Sequence, residues 1–193
     1  MITYIKGKLV EKNPTDVVID CNGVGYLLNI SLHTFSQIPD YENLKLYTHL
    51  QVKEDSHTLY GFSSLAEREI FRLLISVSGI GSNIARTMLS SLTPKQVREG
   101  IATSDVALIQ SIKGIGAKTA QRVIIDLKDK VLKIYDIDEV SVSQNNTSKD
   151  EALSALEVLG FAKKQSEHVI DKIIMAQPDA NVETIIKSAL KNL

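Results

Sequence analysis

The stretch Leu74-Ile75-Ser76-Val77-Ser78-Gly79-Ile80-Gly81-Ser82-Asn83-Ile84-Ala85-Arg86 returns 35 residues later as Ile109-Gln110-Ser111-Ile112-Lys113-Gly114-Ile115-Gly116-Ala117-Lys118-Thr119-Ala120-Gln121. Each copy reads as helix, Gly-Ile-Gly, helix. Glycines at such a turn admit positive φ and let a ligand approach the backbone without meeting a Cβ. The helix after the turn offers unpaired N–H groups and the positive end of its dipole, a combination suited to a phosphate oxygen. Ile80 and Ile115, between the glycines, are expected to anchor the hairpins in the helical layer beneath. A single Gly-x-Gly reads as an ordinary helix end; two copies with matched flanks read as a tandem helix-hairpin-helix. A dinucleotide loop is disfavoured, since neither copy follows a predicted strand or carries the third glycine of Gly-x-Gly-x-x-Gly. No Gly-x-x-x-x-Gly-Lys-Ser/Thr segment occurs, so no intrinsic ATP hydrolysis is expected.

Upstream of the repeat the period is two. Leu44, Leu46, Leu50 and Val52 share one face with Thr48, as in a half-buried strand. Ile2 to Val10, Asp16 to Cys21, Tyr26 to Ser31 and a hairpin ending in His57-Thr58-Leu59-Tyr60-Gly61-Phe62 complete five short strands, separated by turn clusters at Asn13-Pro14-Thr15 and Asn22-Gly23-Val24-Gly25. Five strands in about sixty residues suggest an OB-like barrel. From Ser64 the period becomes 3.6, with Leu65, Ile70, Phe71, Leu73, Leu74 and Val77 on one face. Thr93-Pro94 and Ser104-Asp105 read as helix starts, and a long helix is expected from Ala117 to about Lys133. After Tyr135 the chain turns polar, then regains helical periodicity in three pieces, roughly Lys149 to Leu159, Lys163 to Met175 and Val182 to Lys191, with Gly160 ending the first and Pro178 between the last two. The expected fold is therefore α+β and multidomain: an N-terminal OB-fold β-barrel over residues 1–63, a middle tandem helix-hairpin-helix domain over 64–142, a flexible linker over 143–149, and a small C-terminal three-helix domain over 150–193.

The 193 residues include 22 Lys plus Arg against 23 Asp plus Glu, a net charge of −1. That balance argues at first against a nucleic-acid binder. Counted by segment, residues 1–63 carry −2, residues 64–134 carry +5, and residues 135–149 and 150–193 carry −2 each. The positive excess coincides with the repeat. Backbone phosphates are thus the expected ligand, recognised by shape rather than base sequence. The candidate contacts are Gly79, Gly81, Asn83 and Arg86 at the first hairpin, and Lys113, Gly114, Gly116, Lys118, Thr119 and Arg122 at the second. No apolar run approaches the ~20 residues of a membrane span, and the amino terminus lacks the pattern of a secretory signal, so a cytoplasmic protein without membrane contact is expected. Cys21 is the single cysteine, and His33, His49, His57 and His168 are scattered; no cofactor or metal is expected.

The order of parts, together with Gly23-Val24-Gly25-Tyr26, the run from Glu54-Asp55 through Leu59-Tyr60-Gly61-Phe62, Gly114-Ile115-Gly116-Ala117-Lys118-Thr119-Ala120 and Leu159-Gly160-Phe161, closely resembles the RuvA family, the Holliday-junction-binding subunits of the bacterial branch migration complex, over essentially the full length. The resemblance implies a homotetramer holding a four-way junction open and square, with one or two tetramers on the DNA. It also implies a mobile third domain that binds the hexameric motor ATPase RuvB, a possible meeting with the resolvase RuvC, and roles in recombination and repair. Eight hairpins per tetramer would let a modest charge per chain suffice. The family's acidic pin falls on Glu54 and Asp55, where negative charge would repel phosphates near the crossover. In the tail, Leu156, Leu159 and Phe161 are candidate RuvB contacts, for which the alternative is core packing. Ser82-Asn83 departs from the family pattern, which has lysine in the second position, and Lys113 stands where the family often has proline. No catalytic site is expected. The rival readings are a helix-hairpin-helix glycosylase or lyase, for which Asp126, Lys118 and Lys128 are the available groups, a nuclease using Glu67 and Glu69, and a protein-interaction scaffold that does not touch DNA.

Overall fold

Alternating burial along the first sixty residues closes the strands on themselves. In the computed structural model, which describes residues 1–39, 43–132, 148–177 and 180–193, strands β1 (Tyr4–Asn13), β2 (Asp16–Cys21), β3 (Val24–Asn29), β4 (Asn43–Val52) and β5 (His57–Phe62) form a closed barrel in the order β1-β2-β3-β5-β4. Only the β3–β5 pair is parallel. Ile5, Val17, Ile19, Leu28, Leu44 and Leu46 fill the interior. A register shift between Leu9 and Glu11 marks a bulge that bends β1, which pairs with β4 over its first half and β2 over its second. Val52, expected on the buried face, is 61% exposed because β4 runs past the barrel wall into the turn before β5.

Between β3 and β4 lies α1 (Leu32–Gln37), which the strand periodicity does not announce. Its N-cap is Ser31, whose hydroxyl accepts from the Thr34 N–H, so the third strand stops short of the serine assigned to it from the sequence. A five-stranded barrel with a helix between the third and fourth strands is the expected OB arrangement.

The middle of the chain is helical: α2 (Leu65–Ile75), α3 (Ser82–Ser91), α4 (Pro94–Ala102), α5 (Val106–Gln110) and α6 (Ala117–Leu132). Thr93 and Gln96 make a reciprocal capping box ahead of α4, with Pro94 in the first turn. One apolar cluster runs through all five helices, from Ile70, Phe71 and Leu74 to Val123, Leu127 and Val131. Phe71 extends it to the barrel: its ring lies 5.0 Å from those of Tyr60 and Phe62 and 5.5 Å from that of His49. Burying a ring of this kind contributes roughly 1.5–3 kcal/mol.

Polar bonds complete this junction between barrel and helices. The buried carboxylate of Glu67 accepts from the hydroxyls of Ser31 (2.5 Å), Thr34 (2.6 Å) and Ser63 (3.1 Å). Arg68 donates to the Thr3 carbonyl, and the Leu32 N–H to the Ser90 hydroxyl.

By internal packing the chain divides into two units, residues 1–138 and 139–193. The second contains α7 (Ser148–Val158), α8 (Lys163–Ala176) and α9 (Val182–Leu190) around Ala152, Leu156, Ile170, Ile185 and Ala189. Gly160 closes α7, with the Phe161 N–H donating to the Leu156 carbonyl. Of the expected linker, residues 143–147 lie outside the described residues, and Ser148 and Lys149 already belong to α7. Lys133, the expected end of the long helix, and Pro178 lie outside them too.

Candidate nucleic-acid interface

The two Gly-Ile-Gly turns take the same conformation bond for bond. At the first, the Val77 N–H donates to Leu74, Ile80 to Val77 and Ala85 to Gly81; at the second, Ile112 donates to Ile109, Ile115 to Ile112 and Ala120 to Gly116. Gly79 and Gly114 hold φ of +94° and +95°, a region closed to most side chains. Ile80 and Ile115 are buried, as expected of anchors.

Each turn leads into a helix that a glycine directly precedes. Ser64, Thr93 and Asp105 cap α2, α4 and α5 through their side chains. Gly81 caps α3 with no side-chain bond, and Gly116, directly before α6, has no side chain to offer. A Cβ built on Gly81 or Gly116 would meet nothing within 4 Å. Both helices therefore open on first-turn N–H groups and a positive dipole end beside a glycine with open space around it.

The turns also pack reciprocally. A Cβ on Gly79 would sit 3.8 Å from the Thr119 methyl, and one on Gly114 would sit 3.7 Å from Ile84. Ile84 and Thr119 are themselves equivalent under the 35-residue repeat, so the hairpins form one platform with an internal twofold relation. Thr119 is half-buried at that contact.

Positive charge is distributed unequally over the platform. Lys113, Lys118 and Arg122 are exposed at the second hairpin and along α6, whereas the first hairpin has Ser82 and an exposed Asn83. Arg122 partly offsets this, because its guanidinium donates to the Ser78 carbonyl (3.3 Å) and so places a cation beside the first turn. Arg86 turns away to the barrel, donating to Asn29 Oδ1 (2.9 Å) and to the Thr15 carbonyl (3.3 Å). Asp16 lies at the same place; hydrogen bonds from Asn13 and Thr15, and then the charge of Arg86, hold its carboxyl below the usual carboxylate range. Other cations of the +5 segment are engaged elsewhere: Arg68 and Arg72 both pair with Glu69, and Lys95 with Glu99.

One hydrogen bond was not legible in the sequence. Ser82, the first residue of α3, is buried, and its hydroxyl lies 2.9 Å from that of Tyr60 on β5. The same β5 begins just after the turn carrying Glu54 and Asp55, which the Lys53 N–H closes by donating to the Ser56 carbonyl. Both carboxylates are exposed there.

In the second unit, Leu156 is fully buried in the core, Phe161 is half-buried against it, and Leu159 is 59% exposed. Val158 and Met175, which helical periodicity did not single out, are more exposed still.

The residues of the rival readings do not converge. Lys128 donates to the Ser104 hydroxyl, and Asp126 lies exposed along α6. Glu67 is locked in its hydroxyl cage while Glu69 is held by two arginines, so the pair forms no metal-binding cluster. Among the described residues no group of His, Cys, Asp and Glu is placed to hold a metal ion, and no helix is long and apolar enough to cross a membrane.

Comparison with known proteins matches this architecture part by part. Residues 1–61 match the family model described as RuvA N terminal domain, residues 71–129 the SAM-like helix-hairpin-helix tandem, and residues 148–193 the RuvA C-terminal domain. The chain is 69% identical, over its full length and that of the relative, to a protein of Flavobacterium psychrophilum named Holliday junction branch migration complex subunit RuvA. The chain belongs to the RuvA family. Proteins of the same name from Christiangramia forsetii and Bacteroides thetaiotaomicron are 67% and 48% identical, again over the whole of both chains. RuvA membership accounts for the succession of barrel, doubled hairpin and small helical domain that the periodicities indicate.

Proposed function

We propose that this chain is the DNA-binding subunit of a Holliday junction branch migration complex, and that it holds a four-way junction by its backbone phosphates without reading bases. The observation that carries the reading is the pair of reciprocal hairpins, each opening an uncapped helix N-terminus through a glycine gap. Phosphate oxygens are taken by the first-turn N–H groups after Gly79-Ile80-Gly81 and Gly114-Ile115-Gly116. Lys113, Lys118 and Arg122 supply the charge, Asn83 adds a neutral contact, and Thr119 keeps the hairpins in register. Arg86 serves from behind, by fixing α3 to the barrel. Since amides and lysines meet phosphates alike on any sequence, the preference is for the geometry of the junction.

The chain acts as an accessory subunit rather than a catalyst, and the energy for migration comes from ATP hydrolysis by RuvB. In this reading residues 1–63 and 64–142 form the DNA-binding body, residues 143–149 the connection, and residues 150–193 the domain that engages RuvB. Leu159 and Phe161 are the tail contacts in reach of a partner, with Leu156 shaping them from the core. Four copies on one face of the junction, or eight on both, surround it, and the Glu54-Asp55 turns repel phosphates at the crossover so that strands separate there. RuvC approaches the same junction, and the whole operates in the cytoplasm.

Binding to a synthetic four-way junction, titrated against salt, tests the reading. Log affinity should fall with log salt at a slope of about −0.9 for each neutralised phosphate on the duplex arms. A flat dependence would favour the scaffold reading instead.

A further inference from the structure

The barrel domain is acidic overall, yet the outer face of its β1–β4 ladder is not. Tyr4 pairs with Tyr47, Lys6 with Lys45 and Lys8 with Asn43 in direct register, while Ile5 and Leu46 between them point into the barrel. Tyr4, Lys6, Lys8, Asn43 and Lys45 are exposed, and Tyr47 is half-buried. Neither the Tyr4–Lys8 segment of β1 nor the Asn43–Tyr47 segment of β4 contains a carboxylate. Lys8 faces Asp20 on β2, which leaves Lys6 and Lys45 as the net charge of the face.

Two like charges directly opposite each other on an antiparallel ladder destabilise it. Here one member of the pair is also held in place. The Lys45 ammonium lies 4.7 Å from the centre of the Tyr4 ring and 4.9 Å from that of Tyr47, so the two aromatics hold this cation on the face. The Arg68 guanidinium approaches Tyr47 at 5.8 Å on the side of α2, the helix that leads into the first hairpin. Apart from Asp20, opposite Lys8, the acidic residues of the described barrel fall elsewhere: Asp16 at the other end of β2, Glu11 beyond the bulge of β1, and Glu54 and Asp55 at the β4–β5 turn.

We infer that the Lys6–Lys45 pair, framed by Tyr4 and Tyr47, is a second phosphate-binding surface, engaging the backbone of a duplex arm of the same DNA that the hairpins hold. Directly opposed lysines on one exposed face let both flexible side chains reach the same stretch of phosphate backbone, whose charge relieves the repulsion that the fold alone leaves. A phosphate backbone fits better than an acidic protein surface because the face offers a compact pair of cations with aromatic neighbours and few apolar groups to bury. The inference rests on the proposed junction binding and adds to it a contact outside the repeat.

The test compares the wild-type chain with Lys6→Gln, Lys45→Gln and the double variant, each measured for junction affinity across a salt series, for melting temperature and for association state. The expected result is weaker junction binding, with a salt slope shallower by about 0.9 for each phosphate no longer neutralised, and a melting temperature unchanged or raised. Lys6→Arg and Lys45→Arg should retain binding. Unchanged affinity and slope in the double variant would overturn the inference, as would a loss of chain association with the slope intact, which would make the face a contact between copies. Failure of the wild-type chain to prefer the junction over linear duplex would strike the proposed function itself, whatever the lysine variants do.

Discussion

Gly79 and Gly81 have different duties two residues apart. Gly79 holds positive φ, so Gly79→Ala, like Gly114→Ala, should cost about 1–2 kcal/mol of stability and distort the turn; urea unfolding would report it. Gly81 has an ordinary φ of −84° and open space where a Cβ would go. Gly81→Ala should therefore leave stability nearly unchanged while weakening junction binding, because the new methyl occupies the path to the α3 amides. Equal losses of stability at the two positions would contradict this division. A second consequence at this scale concerns His49, whose pKa is lowered first by burial and then by the charges of Arg72 and Arg68. Its Nδ1 is buried without a hydrogen-bond partner, so protonation would place there a charge that burial and the two arginines oppose and that Glu69 offsets only in part. The unfolded chain binds the proton more readily, and its His49 titrates near 6.5. The stability due to neutral His49 is accordingly complete above that pH and declines as pH falls toward the lower folded value. Melting curves from pH 7.5 to 5 should show this decline, reduced in His49→Gln.

At the scale of elements, the site depends on how β5 and α3 are joined. Tyr60→Phe removes the hydroxyl that meets Ser82, and Ser82→Ala removes the other partner. Each should lower junction affinity several-fold, and the double variant should be little worse than either single one, since both delete the same bond. Strictly additive losses, read from the same binding assay, would show that the two hydroxyls act separately. This joint also marks where sequence reading stops. The hairpins were legible because a 35-residue repeat with glycines and anchoring isoleucines leaves a local pattern, and the barrel strands were legible because one buried face imposes a period of two. Arg86 looked like a phosphate ligand because its sequence neighbours are the first hairpin; its partners, Asn29 and Thr15, are more than fifty residues away. Nothing local signals Tyr60 with Ser82, or Glu67 with Ser31 and Thr34, for the same reason. The six-residue helix α1 escaped because it is too short to display its own period.

For the whole molecule, the formal charge of −1 is a sum over segments of opposite sign. The +5 of the helical segment is not all at the hairpins, since Arg68, Arg72 and Arg86 are spent on internal bonds, and the charge that reaches the platform is chiefly that of Lys113, Lys118 and Arg122. The hairpin platform thus holds few cations of its own with which to grip a polyanion. In the proposed reading, binding gains from backbone amides and from several copies acting on one DNA, where each added contact is made at high effective concentration. That arrangement should discriminate strongly by DNA shape, because only a junction offers arms to all copies together. The most direct measurement is a mobility shift that compares a four-way junction with linear duplex of the same sequence, with the number of chains per DNA counted in the shifted species. The account predicts a junction affinity at least tenfold higher, with four or eight chains bound; equal affinity for the two DNAs, or a single chain sufficient for full affinity, would contradict it.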